Sequence, residues 1–483
     1  MAFRFAFIIW ALATSALCSA ATFVVTSAAD TGGSVCGGNC TLRQAITAAN
    51  ATAAADTINF AILLPIRGEI LISPATSLPS ITQPLTINGY SQSGTQPNDD
   101  PIVSNAILRI RIDGAATSSA DGLNVCAPNV TIRGLAITRF EFRGILASSA
   151  CGASATQIHG NFIGLTTAGL APAGTQMNTG IVISGTGSIG SAAPADRNVI
   201  GNGATGINVS NSNVSVLGNL LGRNPADTAA RTLTTGITFL STGLTGATVG
   251  SLAAPNRIRS STVGIRLAAG IGIDFAANVV FTSAALGIDL GSDGVTPNDT
   301  NDTDVGPNDL QNFPLITSAQ RVLGGISLSG TLDVGHPGTL AYKLTTYANS
   351  SCHSSGHGEG ERILGQTTRN FSSVAQDFTY TQTTSDPLPP GTVITMTATR
   401  AGVGTSEFSA CFVLDPAPLV VNSSNDVADG VCNATHCSLR DAIILANAST
   451  SSGFQRIHFA IPPLNSSSEI LIAPTSSLPT LTS

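Results

Sequence analysis

The sequence has little charge. Asp, Glu, Lys and Arg together make up 10% of its 483 residues, and Lys343 is the one lysine among scattered arginines. A formal charge of −7, with no basic cluster to neutralise a run of phosphates, excludes nucleic acid as a partner. The same shortage excludes a disordered chain, since disordered segments are polar and highly charged whereas 42% of this sequence is apolar. Cys-x-x-Cys pairs with matching His are missing, which removes the common zinc sites. Between 96 and 310 no helical pattern is long enough for a βαβ crossover, which argues against a doubly wound sheet. After the first twenty residues no apolar run is long enough to span a membrane.

What is there is 50 Gly and 24 Pro with abundant Ser, Thr, Ala and Asn, the composition of many short strands separated by turns. The length exceeds what one core supports, so several modules are expected. Arg4, the apolar stretch Phe5 to Leu17, and the small residues Ser19, Ala20 and Ala21 read as a secretory signal over 1–20, cleaved after Ala20. Removing Cys18 with it leaves Cys36, Cys40, Cys126, Cys151, Cys352, Cys411, Cys432 and Cys437. An even number in an exported chain points to disulfides. Local pairing suggests Cys36 with Cys40, Cys126 with Cys151, Cys352 with Cys411, and Cys432 with Cys437, and other connectivities stay open.

Two distant segments are copies. FVVTSAADTGGSVCGGNCTLRQAITAAN followed by EILISPATSLPSIT returns as LVVNSSNDVADGVCNATHCSLRDAIILAN followed by EILIAPTSSLPTLT. Each copy predicts a strand, a cysteine loop and a short helix. The helix opens on a capping pair, Thr41 with Gln44 or Ser438 with Asp441, and carries an apolar stripe, Leu42, Ala45, Ile46 and Ala49 or Leu439, Ala442, Ile443 and Ala446. The helix ends are expected at Asn50 and Asn447.

Between the copies, a Gly-Ile step in short strands recurs at Gly144, Gly180, Gly206, Gly236, Gly264 and Gly287, and Asn followed by apolar residues recurs at Asn161, Asn198, Asn219, Asn256 and Asn278. Such coils build a solenoid in which each strand pairs with its equivalent one turn away, and Asn at equivalent turns forms a hydrogen-bonded ladder. From 311 the strands lengthen and alternate, as at Thr339 to Tyr347 and Val393 to Thr399, which suggests a β-sandwich of the immunoglobulin kind. The expected organisation is therefore a signal peptide (1–20), a cap with the first solenoid strands (21–95), parallel β-helix coils (96–310), a sandwich (311–415) and the start of a second cap module (416–483), inside which the sequence stops.

CSLRDAI at 437–443 and its relaxed copy CTLRQAI at 40–46 resemble the motif of a family of bacterial surface proteins named for Cys-Ser-Leu-Arg-Glu-Ala, with Asp441 and Gln44 in place of the Glu. RNVIGN at 197–202, the stretch Gly287 to Pro314, and TSEFSAC at 405–411 are similar to segments found with that motif. The resemblance implies a right-handed parallel β-helix of the pectin-lyase type and export, and the family carries no assigned reaction.

Three constellations invite chemistry. Asp289, Asp293, Asp299, Asp302, Asp304 and Asp309, with Asn298, Asn301 and Asn308, form an acidic run, and Asp299, Asp302 and Asp304 are candidate ligands for calcium, a hard cation that takes six to eight oxygens. The spacing is not that of an EF-hand, and Asp/Asn/Gly runs also make ordinary turns. GHGEG at 356–360 invites comparison with a glycosidase His, but His357 falls in the sandwich, in a loop. Arg133, Arg139, Glu141, Arg143 and His159 suggest either a groove or a solvated outer face. No catalytic residue is assigned. The expected function is an exported structural, adhesive or glycan-binding protein, secreted or at the cell surface, whose partners are extracellular glycans or cell-surface components. The alternative is a polysaccharide lyase or glycoside hydrolase on the same scaffold.

Overall fold

The computed structural model describes residues 19–63, 68–211, 213–322, 324–335, 339–371, 375–385, 387–416, 418–448, 455–462 and 469–482. The expected signal peptide lies outside them except for its last two residues.

The chain is nearly all β. Three parallel sheets run side by side as the faces of a β-helix. The first has eight strands from Thr22–Val25 to Thr248–Val249, the second eight from Ile70–Ile72 to Val279–Phe281, and the third seven from Leu123–Val125 to Leu286–Leu290. Each strand pairs in register with its equivalent one coil on, as in Ile181 with Ile207, Ile207 with Ile237 and Ile237 with Ile265. Alternate side chains point inward, and this stacked Ile, Val and Leu column is fully buried.

Two recurrences in the sequence acquire physical reasons. Asn161, Asn198, Asn219, Asn256 and Asn278 stack at one turn, the Nδ2 of each of the first four donating to the Oδ1 of the next at 2.9–3.2 Å. The glycines stack on the third sheet because the coils approach there. A Cβ at Gly180 would lie 2.6 Å from the Gly206 carbonyl, and one at Gly236 would lie 2.5 Å from that of Gly264.

Helix α1 (Leu42–Ala49) closes the N-terminal end. Thr41 caps it in a reciprocal box with Gln44, and Leu42, Ala45, Ile46 and Ala49 join the solenoid core. Asn50 ends it in the right-handed region, not the left-handed one common at helix ends. Its side chain instead donates to the Ser80 carbonyl and accepts from the Thr82 amide.

The other end is closed by the sandwich. A three-stranded antiparallel sheet (Leu315–Val322, Gly325–Asp333, Ala375–Thr383) faces a second antiparallel sheet built on Arg362–Phe371, Leu340–Asn349 and Val393–Arg400, over their own core. From the sandwich, Phe408 and Tyr347, edge to face with ring centroids 5.1 Å apart, enter the solenoid core. Glu359 accepts the amides of Thr282 and Ser283 at 2.7 and 2.8 Å, and Glu407 accepts those of Leu290 and Thr296 at 2.8 and 3.0 Å. Backbone donors that a further coil would have paired thus find carboxylates.

In the second module, helix α2 (Leu439–Ala448) packs on the strand Leu419–Val421, which pairs with Ile457–Phe459. Local contacts copy the first module closely. Arg43 is held by Asp30 and the carbonyls of Thr76 and Ser77, and Arg440 by Asp426 and those of Ser476 and Ser477. The cysteines pair as Cys36–Cys40, Cys126–Cys151, Cys352–Cys411 and Cys432–Cys437. Disulfides in these positions fit an oxidising, extracellular setting. Among the described residues no helix is long and apolar enough to cross a membrane.

Candidate functional site

A cleft of about 720 Å³ lies where the second solenoid sheet meets the sandwich. Its solenoid wall is the strand Arg257–Arg259, which buries Ile258 in the core and so turns both arginines outward into the cleft. The sandwich wall supplies Glu361, Arg362 and Ser350, and Ile102 and Leu252 form an exposed apolar rim.

The charges do not balance. Arg259 approaches Asp227 at 3.7 Å and sits 5.9 Å over the Phe281 ring, while Asp227 already holds Arg223 at 2.9 Å. Buried Nε atoms of Arg257 and Arg259 have no hydrogen-bond partner. Burial first, and then the neighbouring Arg259, hold the Arg257 guanidinium below its usual range. Such donors in partial burial are suited to an anion brought by a ligand. Glu361 is the one carboxylate on the described lining, and it accepts the Ser350 amide at 2.7 Å.

Of the acidic run, Asp299, Asp302 and Asp304 come together, with carboxylate oxygens within 4.8 Å of one another. Asp299 Oδ2 accepts the amide and hydroxyl of Thr303, and Asp302 Oδ1 accepts the Asn312 amide. Burial, opposed by that amide and reinforced by Asp304 and Asp299, pushes the Asp302 carboxyl up to about 6. The other members serve elsewhere. Asp289 lies 3.7 Å from Arg266, Asn298 bridges to Phe313, and Asn308 bonds Ile273 and Thr405 across the junction.

The arginine groove does not form. Arg133 belongs to the first sheet and lies 5.4 Å over Tyr90, Arg139 follows a strand of the second and binds Asp113, and Arg143 belongs to the third and binds Asp121. Glu141 accepts from Ser119, and His159 bonds Ser188 and approaches Asp196. His357 sits edge-on to Phe313 in the sandwich. The cleft arginines carried no sequence signal beyond Arg-x-Arg in a short strand, because their partner wall is some 100 residues away in the chain.

No known protein family matches the chain, and no curated protein does. Among solved structures it is similar to full-length tailspike protein 2 (TSP2, ORF211) from Escherichia coli O157:H7 bacteriophage CAB120, at 12% identity and a TM-score of 0.16, over 77% of this chain and 65% of that one. The match thus spans just under two thirds of the tailspike chain, and a likeness this weak carries no argument.

Proposed function

We propose that this is an exported scaffold of the cell surface or extracellular space that binds acidic glycans in the cleft between its β-helix and its sandwich. The observation that carries the reading is the pair Arg257 and Arg259 on the cleft wall, where Arg259 shares Asp227 with Arg223. A uronate or sulfate group offers the two guanidinium groups a bidentate acceptor, and the apolar rim of Ile102 and Leu252 suits a sugar face. Glycoside hydrolysis calls on two carboxyl groups flanking the bond. The cleft offers Glu361 alone among its described lining residues, so its geometry favours binding over cleavage.

Calorimetric titration with polygalacturonate, alginate and a neutral glucan tests this. The acidic polymers should bind saturably and more weakly as salt rises, and the double variant Arg257→Ala, Arg259→Ala should lose at least about tenfold in affinity with its melting temperature held. Equal binding by the variant, or no binding to any acidic polymer, overturns the proposal. New reducing ends or unsaturated products in the same mixtures would favour the lyase or hydrolase reading.

A further inference from the structure

The loop joining the last coil to the first sandwich strand holds three carboxylates against one another, and among the described residues no cationic side chain is hydrogen-bonded to them, Arg400 acting on Asp302 only through space. All three oxygens lie within 4.8 Å of one another, close enough for one calcium ion to reach each of them at roughly 2.4 Å. Convergence of acids alone would describe any Asp-rich turn. The second observation is a set of orphaned atoms. Asp299 Oδ1, Asp304 Oδ1 and Gln311 Oε1 are each buried with no hydrogen-bond partner.

Gln311 is the informative member, because it is uncharged, 2% exposed and not part of the acidic run. Its amide ends at the cluster, with Nε2 3.3 Å from Asp302 Oδ2. A buried amide oxygen left unpaired is destabilising, because it has lost its hydration without regaining a hydrogen bond. The two ends of an amide exchange places by a half-turn. In that orientation Oε1 replaces the Nε2 that donates to both Asp302 Oδ2 and the Asn312 carbonyl at 3.3 Å, and three oxygens so placed repel one another unless a cation lies between them. We infer that Asp299, Asp302, Asp304 and Gln311 bind a calcium ion that fastens this loop to the sandwich.

The four side chains supply four oxygens, and water or backbone carbonyls complete the six to eight that calcium takes. Magnesium, which demands a near-ideal octahedron at shorter distances, fits a loosely spaced set less well. The consequence is mechanical. Asn312 bonds Asp299, Asp302 and Asp333 at once, so an ion here ties the loop to the sandwich strand Gly325–Asp333.

The test is calorimetric titration of the full chain with calcium chloride after dialysis against chelator, with magnesium chloride alongside and no glycan present. One calcium per chain is expected, in the range of about 10⁻⁴–10⁻³ M seen for extracellular modules, with magnesium weaker. Asp302→Asn and Gln311→Leu should each weaken uptake at least about tenfold. In chelator, Asp302→Asn should melt no lower than wild type, because it relieves repulsion among the carboxylates, and this separates lost binding from lost folding. No saturable uptake by the wild type up to about ten times that range, or unchanged uptake in both variants, overturns the site. The cleft variants should keep calcium binding, so failure here and failure of the glycan reading are told apart.

Discussion

Phe408, carried by the sandwich, lies against Gly287 in the last coil so closely that a Cβ on the glycine would come within 2.8 Å of the ring. The ring does for this end of the solenoid what Leu42 and Ile46 of α1 do for the other, filling the column where the next coil would stand.

Phe408→Ala should therefore remove a buried aromatic and open the column to water. A loss of about 3–5 kcal/mol is expected in denaturant titrations. Light scattering should also report association, since the uncovered end presents apolar side chains and unpaired strand groups. An unchanged midpoint with a monodisperse monomer would show that the sandwich is not a cap.

Glu407 predicts a pH dependence. Burial first, with Asp289 and Asp293 adding to it against the Leu290 and Thr296 amides, pushes its carboxyl up to about 8 from the ordinary 4.5. Between those values the folded state holds a proton that the unfolded chain has released, so stability falls as pH rises through this window. Asp289, Asp302 and Asp304 are also raised, and the Asp302 value is about 6. His159, lowered by burial, contributes oppositely below its ordinary 6.5. From about pH 6.5 to 8 the decline is thus assigned to Glu407. Glu407→Gln should flatten the melting temperature across that interval, and an unaltered slope would reject the assignment.

Asn219 is the middle rung of the ladder. It donates to the carbonyls of Ile189 and Leu217 and to Asn256, and accepts from Asn198, all buried except the half-buried bond to Leu217. Asn219→Ala should orphan several of these groups at about 1–3 kcal/mol each, whereas Asn178→Ala, at an exposed position of the third sheet, should stay within about 0.5 kcal/mol. Equal midpoints for the two variants would mean that the ladder is incidental.

Hydrogen exchange should separate the two copies of the cap. Phe60 and Ile70 are 1% and 2% exposed beneath the coils, while their counterparts Phe459 and Ile470 are 60% and 39% exposed. Amides of α2 and of Ile457–Phe459 should exchange much faster than those of Ile181 and Ile207, because so little apolar area opposes about 1–2 kcal/mol of backbone entropy per residue. Matching protection in both regions would refute this.

The sequence alone was enough to read the solenoid, its recurring glycines and asparagine ladder, the capping helix and the duplicated module, and it suggested the cysteine pairs while leaving other connectivities open. Each of these is written in local spacing, and a coil repeats its neighbour, so periodicity in the chain is periodicity in space. That Asp299, Asp302 and Asp304 converge was also legible, since they sit within six residues. Only the tertiary structure decided what lies at the junction. Arg257 faces Glu361 and Arg362, Phe408 meets Gly287, Glu359 and Glu407 take the last coil's amides, and Gln311 turns its amide to Asp302. These contacts join segments with no shared period, and the burial that orphans the arginine Nε atoms or raises the Glu407 carboxyl arises only once two separately patterned bodies have packed together.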